Sequence, residues 1–499
     1  EKNVPRAAQL TAGDRPTAPT DRSGNGNAAA GASPEAIVQL SPFQVISDDR
    51  GYQALNTLAG TRINARLEDL GASISIVTKQ QLEDTASLDL NDVFRYEAST
   101  EGTESFTPFT PNRNGGVGDN IQQDPATANR IRGVGTAGTS GSGINLAFGN
   151  QSINNKIPVD PYNIDAIEIS RGPNSNLFGL GASAGTVNLV PALANVSRAT
   201  SSFWLRFDDW GGHRESLNLN RPLLPGKLAV RVAAVHESKG FTRQPASERI
   251  NRLYATVTAQ PFKHTVARAS FERYTNFYRR PNSIMPRDTA ADWRAAGGPT
   301  WDPTTQLVTL AGGQKVGPFP VAQDANLPTG LMSGNGINGR LLAFWDNNAV
   351  KLLTPARTGN LSTSGTPSPF TQNSNVRFLE TGTFLMRNKN TLFPLFIQPA
   401  VRDKSIYDWE SVNYVASNWG QDSAKTYSTE LEQTFLRNER HLVVGRVGWF
   451  QQEFVRNNHN FIDVIDGVLY VDVNEKLLDG TPNPYFKRPY VESIGTTAV

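Results

Sequence analysis

The stretch Ile164-Asp165-Ala166-Ile167-Glu168-Ile169-Ser170-Arg171-Gly172-Pro173-Asn174-Ser175-Asn176-Leu177-Phe178-Gly179-Leu180-Gly181-Ala182-Ser183-Ala184-Gly185-Thr186-Val187-Asn188-Leu189-Val190 is the most informative part of the chain. Its first six residues read as a β-strand and Thr186 to Val190 read as a second, each rich in β-branched side chains. Between them lies a glycine-dense connection containing Gly172, Gly179, Gly181 and Gly185, suited to tight turns and close backbone approach. Gly181-Ala182-Ser183-Ala184-Gly185 also matches G-x-S-x-G, the turn that presents a nucleophilic serine. That motif requires a helix after it, whereas a β-branched run follows here, so a hydrolase built on Ser183 is disfavoured.

Upstream the pattern is mixed. Ala72, Ile74 and Ile76 alternate with Ser73, Ser75 and Val77 at strand period. Thr78 and Gln81 have capping-box spacing, which predicts a short helix. Ser87 with Asp89 marks a second helix start, with Leu90, Val93 and Phe94 as its buried stripe. Residues 103–163 are dominated by Gly, Asn, Thr and Pro over a length far beyond an ordinary connection. Gly133, Gly135 and Gly138 within them match G-x-G-x-x-G, but the flexible run that follows is no helix start for a dinucleotide. Residues 1–34 have the composition of a mobile linker, and Ile37-Val38-Gln39-Leu40 is a short β-favouring run closed by Pro42.

Downstream of about residue 197 the chain reads as strands and turns. Candidates are Phe203 to Phe207, Leu228 to Val235, Leu253 to Gln260, Thr265 to Tyr274, Val376 to Met386, Tyr427 to Phe435 and His441 to Phe450. In the third, Leu253, Ala255, Val257 and Ala259 face one way and Tyr254, Thr256, Thr258 and Gln260 the other. Such a sheet suits either a soluble sandwich or a barrel with lipid outside and water inside. Aromatics such as Trp204, Trp210, Tyr274, Phe277, Tyr278 and Trp449 would serve interfacial girdles or a sandwich core equally well.

Composition narrows the function. The chain has 499 residues, 48 Lys+Arg against 46 Asp+Glu for a formal charge of +2, and a mean hydropathy of -0.40. No global field draws it to nucleic acid. It contains no cysteine, which excludes thiolate catalysis, iron–sulfur clusters and disulfides. No apolar run approaches the length of a spanning helix, but barrel strands average out in hydropathy. The five histidines show no metal-ligand spacing, and Asp48, Asp49, Glu68 and Asp69 read as solvated carboxylates beside turns. No catalytic residue, metal ligand or cofactor site is expected. The first residue is Glu1 and nothing near it shows a basic patch followed by an apolar run, so a signal peptide is expected to have been removed or the chain to be a fragment.

The stretch quoted first closely resembles the closing signature of the plug domain of TonB-dependent outer-membrane receptors. Ala72 to Thr78, with the helix of Leu82 and Asp89-Leu90-Asn91-Asp92-Val93-Phe94, resembles the same domain's opening, and Ile131-Arg132-Gly133 its central element. The resemblance implies an α+β plug over residues 46–196, with Arg132, Gly133, Arg171, Gly172, Pro173, Gly179, Gly181, Gly185 and Asn188 as signature positions. It implies that 197–499 form the N-terminal part of an antiparallel transmembrane β-barrel, of about 22 strands in the family. Only about nine strands are readable here and the chain ends Thr497-Ala498-Val499, so the barrel is expected to be truncated.

The resemblance also implies a function and partners. Residues 35–45 would hold the TonB box, with Ile37, Val38, Gln39 and Leu40 captured by strand addition to TonB, itself energised by ExbB and ExbD. Residues 1–34 look too short and unstructured for a folded signalling domain. The receptor would sit in outer-membrane lipid and import a scarce nutrient. A ferric siderophore is the commonest substrate in the family, with a glycan fragment or cobalamin behind it. Phe106, Phe109, Arg113 and Arg130 are ligand candidates, because aromatic and guanidinium groups suit an anionic, aromatic chelate. A soluble β-sandwich binding protein is the alternative from another class.

Overall fold

The computed structural model describes residues 51–59, 65–102, 129–132, 134–135, 144–172, 184–281 and most of 403–459, with shorter stretches between 287 and 353 and between 468 and 494. Residues Phe43–Val499 cluster as one unit, and Glu1–Pro42, a separate unit, lies outside the described residues. The expected linker, the strand at 37–40 and the strand at 376–386 also lie outside them.

The first domain opens with a strap, β1 (Asn56–Thr57), paired with β2 (Ala65–Arg66). β3 (Ile74–Thr78) then runs into α1 (Lys79–Asp84), where Thr78 Oγ1 accepts the Gln81 N–H at 3.2 Å. The hydroxyl half of the expected capping box therefore forms. α2 (Leu90–Phe94) is capped by Asp89, whose Oδ1 accepts the Asp92 N–H at 3.1 Å, and it buries Leu90, Val93 and Phe94. The short strands β4 (Thr100–Glu101), β5 (Arg130–Ile131) and β6 (Val134–Gly135) make a small separate sheet.

β7 (Ile144–Phe148), β8 (Gln151–Ser152), β9 (Ile164–Arg171) and β10 (Gly185–Pro191) join β3 in the order β3-β9-β10-β7-β8. Every neighbour is antiparallel except β7 with β10. β9 and β10 are buried along nearly their whole length, so their apolar content does not alternate. One face, with Val77, Ile167, Ile169 and Val187, packs on α1 and α2. The other carries Glu168 and Asn188 side by side in register. β10 is a strand from Gly185 onward, which removes the helix that a nucleophile elbow at Ser183 would need.

A seven-stranded antiparallel meander follows: β11 (Thr200–Phe207), β12 (His213–Leu224), β13 (Leu228–Lys239), β14 (Ser247–Phe262), β15 (Thr265–Arg279), Trp419–Arg437 and Leu442–His459. It forms a wall whose polarity is inverted relative to a soluble sheet. Leu253, Val257, Val232, Leu217, Leu431, Val447 and Val455 are exposed, whereas Glu248, Arg252, Thr256, Thr258, Arg268, Asn276, Asp422 and Glu432 are buried. A sandwich would reverse that assignment, and a barrel wall with lipid outside requires it.

At one end of the wall the connections are short (225–227, 263–264 and 438–441). At the other, β15 and Trp419–Arg437 are neighbours although residues 280–418 lie between them. Outside the wall, Arg340–Asp346, Ala349–Leu353, Val468–Val471 and Pro489–Ile494 join a small mixed sheet. Among the described residues no helix is long and apolar enough to cross a membrane, which says nothing about strands.

Candidate functional site: the seat between plug and wall

Among the described residues, the signature positions Arg132, Arg171, Gly172, Gly185 and Asn188 are structural ties. Arg171, at the end of β9, donates from Nε to the Ala98 carbonyl at 2.9 Å, from Nη1 to Ser75 Oγ at 3.0 Å and from Nη2 to Glu97 Oε2 at 3.1 Å. It thereby binds β3 and the end of α2's loop to β9. Gly172 has φ +102 and donates its N–H to the Ala184 carbonyl at 3.0 Å, so the chain leaves and re-enters the sheet at one point. Gly185 has φ +149, and a Cβ there would collide with the Ser170 carbonyl oxygen. Arg132 adopts φ +54 and donates its N–H to the Ser99 carbonyl at 2.9 Å.

Asn188 Oδ1 accepts the Asn150 N–H at 2.9 Å, which turns its amide nitrogen toward Glu168 Oε2 at 2.7 Å. Of the ligand candidates, Arg130 is half-exposed beside Glu101 at 3.8 Å, a weak surface pair. Phe106, Phe109, Arg113, Gly133, Pro173, Gly179, Gly181 and the Ile37 to Leu40 segment lie outside the described residues.

The plug is held to the wall by a buried charge cluster that the sequence reading did not single out. Asp160 precedes the 3-10 turn Pro161–Asn163 and accepts the Tyr162 N–H. Its carboxylate meets Arg214 of β12 at 2.8 Å and Arg252 of β14 at 3.5 Å. Arg214 also pairs with Glu237 at 2.9 Å, and Arg252 Nη2 donates to the Pro158 carbonyl at 2.7 Å. Tyr162 Oη donates to Glu272 at 2.8 Å, and Arg252 lies over the Tyr274 ring. Burial alone would raise the Asp160 pKa, but the two guanidiniums hold it below the ordinary carboxylate value.

Farther along the wall Arg231 reaches Asp165 and the Leu193 carbonyl, and the Asn154 N–H donates to Gln452 at 2.7 Å. Apolar contact runs beside these pairs: Phe148 meets Tyr254 edge-on at 6.3 Å, Ala233, Val235 and Tyr254 of the wall join the plug's own core, and Ile157 packs with Ile250 and Tyr274. A cavity of about 290 Å³ remains between α2 and the wall, lined by charged groups including Asp89, Asp208, Lys239, Glu248 and Arg280. Burial and the neighbouring Asp92 push the Asp89 carboxyl up to about 6. Among the described residues no three His, Asp or Glu side chains converge as metal ligands.

The arrangement is a small domain seated against the charged face of the wall. That seat could have been suspected only from Asp160 and Tyr162 just before the β9 strand, because their wall partners are distant in sequence.

Residues 66–186 match the TonB-dependent Receptor Plug Domain. A metal-pseudopaline receptor of Pseudomonas aeruginosa is 30% identical over 209 residues, covering 40% of this chain and 26% of that protein. A ferrioxamine receptor of Yersinia enterocolitica is 28% identical over 140 residues, covering 28% of this chain and 18% of that protein. The matched region thus spans about a quarter or less of these curated relatives. Among solved structures, FpvA of P. aeruginosa with bound pyoverdines gives a TM-score of 0.44 at 14% identity, over 84% of this chain and 47% of that one. With this segment matched in sequence and found seated against an outward-apolar wall, residues 66–186 of the chain are a plug domain of the kind found in TonB-dependent receptors.

Proposed function

We propose that the protein imports a scarce nutrient across the outer membrane, driven by TonB and its ExbB and ExbD partners, and that the cargo is a ferric siderophore or a similar metal chelate. The observation that carries the reading is the plug seated on the inner wall through buried ion pairs and hydrogen bonds, beside a smaller apolar contact with Ala233, Val235 and Tyr254. Such contacts can be exchanged for water when the plug is rearranged. The relatives named for metal-pseudopaline and ferrioxamine favour a chelated metal over a glycan fragment or cobalamin. Transport of this kind leaves the cargo chemically unchanged, so the protein is not an enzyme. Residues 46–196 act as the plug, 197–499 as barrel wall, and Ile37, Val38, Gln39 and Leu40 as the segment that TonB captures. Phe106, Phe109, Arg113 and Arg130 remain the ligand candidates.

Uptake of radioiron from ferrioxamine by cells carrying the full-length receptor tests this. Accumulation that vanishes without TonB is expected, and Leu40→Pro should abolish it while leaving ligand binding intact, because strand addition needs that N–H. Equal accumulation without TonB would overturn the mechanism. Failure with ferrioxamine and other ferric chelates, with uptake of a glycan or cobalamin instead, would reassign the cargo.

A further inference from the structure

Glu168 is fully buried in the middle of β9, yet among the described residues no cation lies within ion-pair distance of it. Its carboxylate is met by donors alone. Thr57 Oγ1 donates to Oε1 at 2.7 Å, the Leu58 N–H donates to the same oxygen at 2.8 Å, and Asn188 Nδ2 donates to Oε2 at 2.7 Å. Thr57 Oγ1 in turn accepts the Ala59 N–H at 3.0 Å. The strap residues Thr57, Leu58 and Ala59 are all buried, and they cover the polar face of the plug sheet. Nearer the N-terminus the strap's other side-chain ties are the Thr78 hydroxyl donating to the Gly51 carbonyl and an exposed Tyr52–Asp84 hydrogen bond.

Covalent connectivity makes this arrangement mechanical. Any pull on the segment before Gly51 passes through the strap before it reaches β3 and the sheet. Hydrogen bonds to one carboxylate are short-ranged, so they resist small displacements and then fail together. Once free, the carboxylate is hydrated, which offsets much of what is lost. An apolar anchor such as Ile169 would instead cost its full transfer free energy on exposure. We propose that Glu168, oriented by Asn188, is the positioning residue that keeps the Thr57–Ala59 strap docked, and that release of the strap from this carboxylate is the first step when the N-terminal segment is pulled. The pull itself rests on the transport reading above, but the tether does not.

Because the chain lacks cysteine, the strap can be followed with a single introduced thiol. The full-length receptor carrying Leu58→Cys is treated with an impermeant maleimide in outer-membrane fractions from cells lacking TonB. Labelling of this otherwise unaltered protein should be slow, and Glu168→Gln should accelerate it at least about tenfold, the loss expected for hydrogen bonds to a charged group. Thr57→Val should accelerate it less. Combining Glu168→Gln with Asn188→Asp exchanges donor and acceptor between the two positions, keeps an acceptor for the Asn150 N–H, and should restore slow labelling. Ile169→Cys, buried in the sheet, should stay unlabelled throughout. If Glu168→Gln does not accelerate labelling, if the paired exchange fails to restore protection, or if Ile169→Cys is labelled as fast as Leu58→Cys, the tether is overturned. A second arm with TonB present should accelerate labelling at Leu58→Cys in the otherwise unaltered protein. No acceleration there, with the Glu168 result intact, would count against TonB-driven pulling and leave the tether standing.

Discussion

Asp160 is a single carboxylate placed between two guanidiniums at the boundary of plug and wall. Replacing it by Asn keeps the shape but leaves Arg214 and Arg252 with fewer counter-charges in a buried site, which should cost about 3 kcal/mol. Glu237 and Glu272 remain near them and limit the loss. Because Asp160 has its folded-state pKa lowered, its contribution is present at neutral pH and is lost only as pH falls below the ordinary carboxylate value. Thermal unfolding of the reconstituted protein at pH 7 and pH 3.5 should show a large difference between Asp160→Asn and its parent at the first pH and a smaller one at the second.

Asp89 has the opposite sign. Its carboxyl is raised from 3.8 to about 6, so its protonated form favours the folded state and that contribution fades as pH rises through about 6. Asn caps a helix as well as Asp, so Asp89→Asn should remove this pH dependence and leave α2 more stable at pH 8 by about 1 kcal/mol. Hydrogen exchange of the α2 amides at pH 5 and pH 8 reads it directly; unchanged pH dependence in the variant would dismiss Asp89 as its source.

At the scale of the element, the outward residues of β14 decide between two solvents. Leu253 and Val257 are exposed while Arg252, Tyr254, Thr256 and Thr258 between and beside them are buried. A Val257→Lys change should cost about 2–4 kcal/mol if that face meets lipid. Inward Thr256→Val should cost only about 1 kcal/mol, from its lost hydrogen bond to Ala269. Folding titrations in lipid vesicles would show the order, and equal costs would argue against a lipid-facing wall.

This alternation was legible in the sequence, as were β3, the caps of α1 and α2, and the β9–β10 pair, because each follows from local period or local chemistry. β12 was missed: its His213-Arg214-Glu215-Ser216 start and its Pro222 hide the alternation of Leu217 and Leu219 with Asn218 and Asn220. The seat was missed for a different reason. Asp160 and Arg214 are 54 positions apart and Thr57 and Glu168 are 111 apart. Charged side chains read singly resemble solvated surface until the fold brings them together.

For the whole molecule, the wall sorts two environments through one sheet: exposed apolar side chains outside, and inside a charged surface that holds the plug by ion pairs and hydrogen bonds. The plug and the wall should therefore come apart under denaturant in two stages. Urea weakens plug packing and competes for the polar seat, whereas lipid, on the transport reading, would continue to satisfy the outer face of the wall. All eight tryptophans lie beyond residue 196, so tryptophan emission reports the chain outside the plug, including the wall, and a maleimide on Ile169→Cys reports the plug. Thiol reactivity should rise at lower urea than the change in tryptophan emission. Asp160→Asn should move only the first transition, by about 1 M, the ratio of its expected cost to a typical urea slope for a small domain. Coincident transitions, or a shift in both by the same amount, would mean that plug and wall unfold as one cooperative body, and that the polar seat is too strong to be opened without dismantling the barrel.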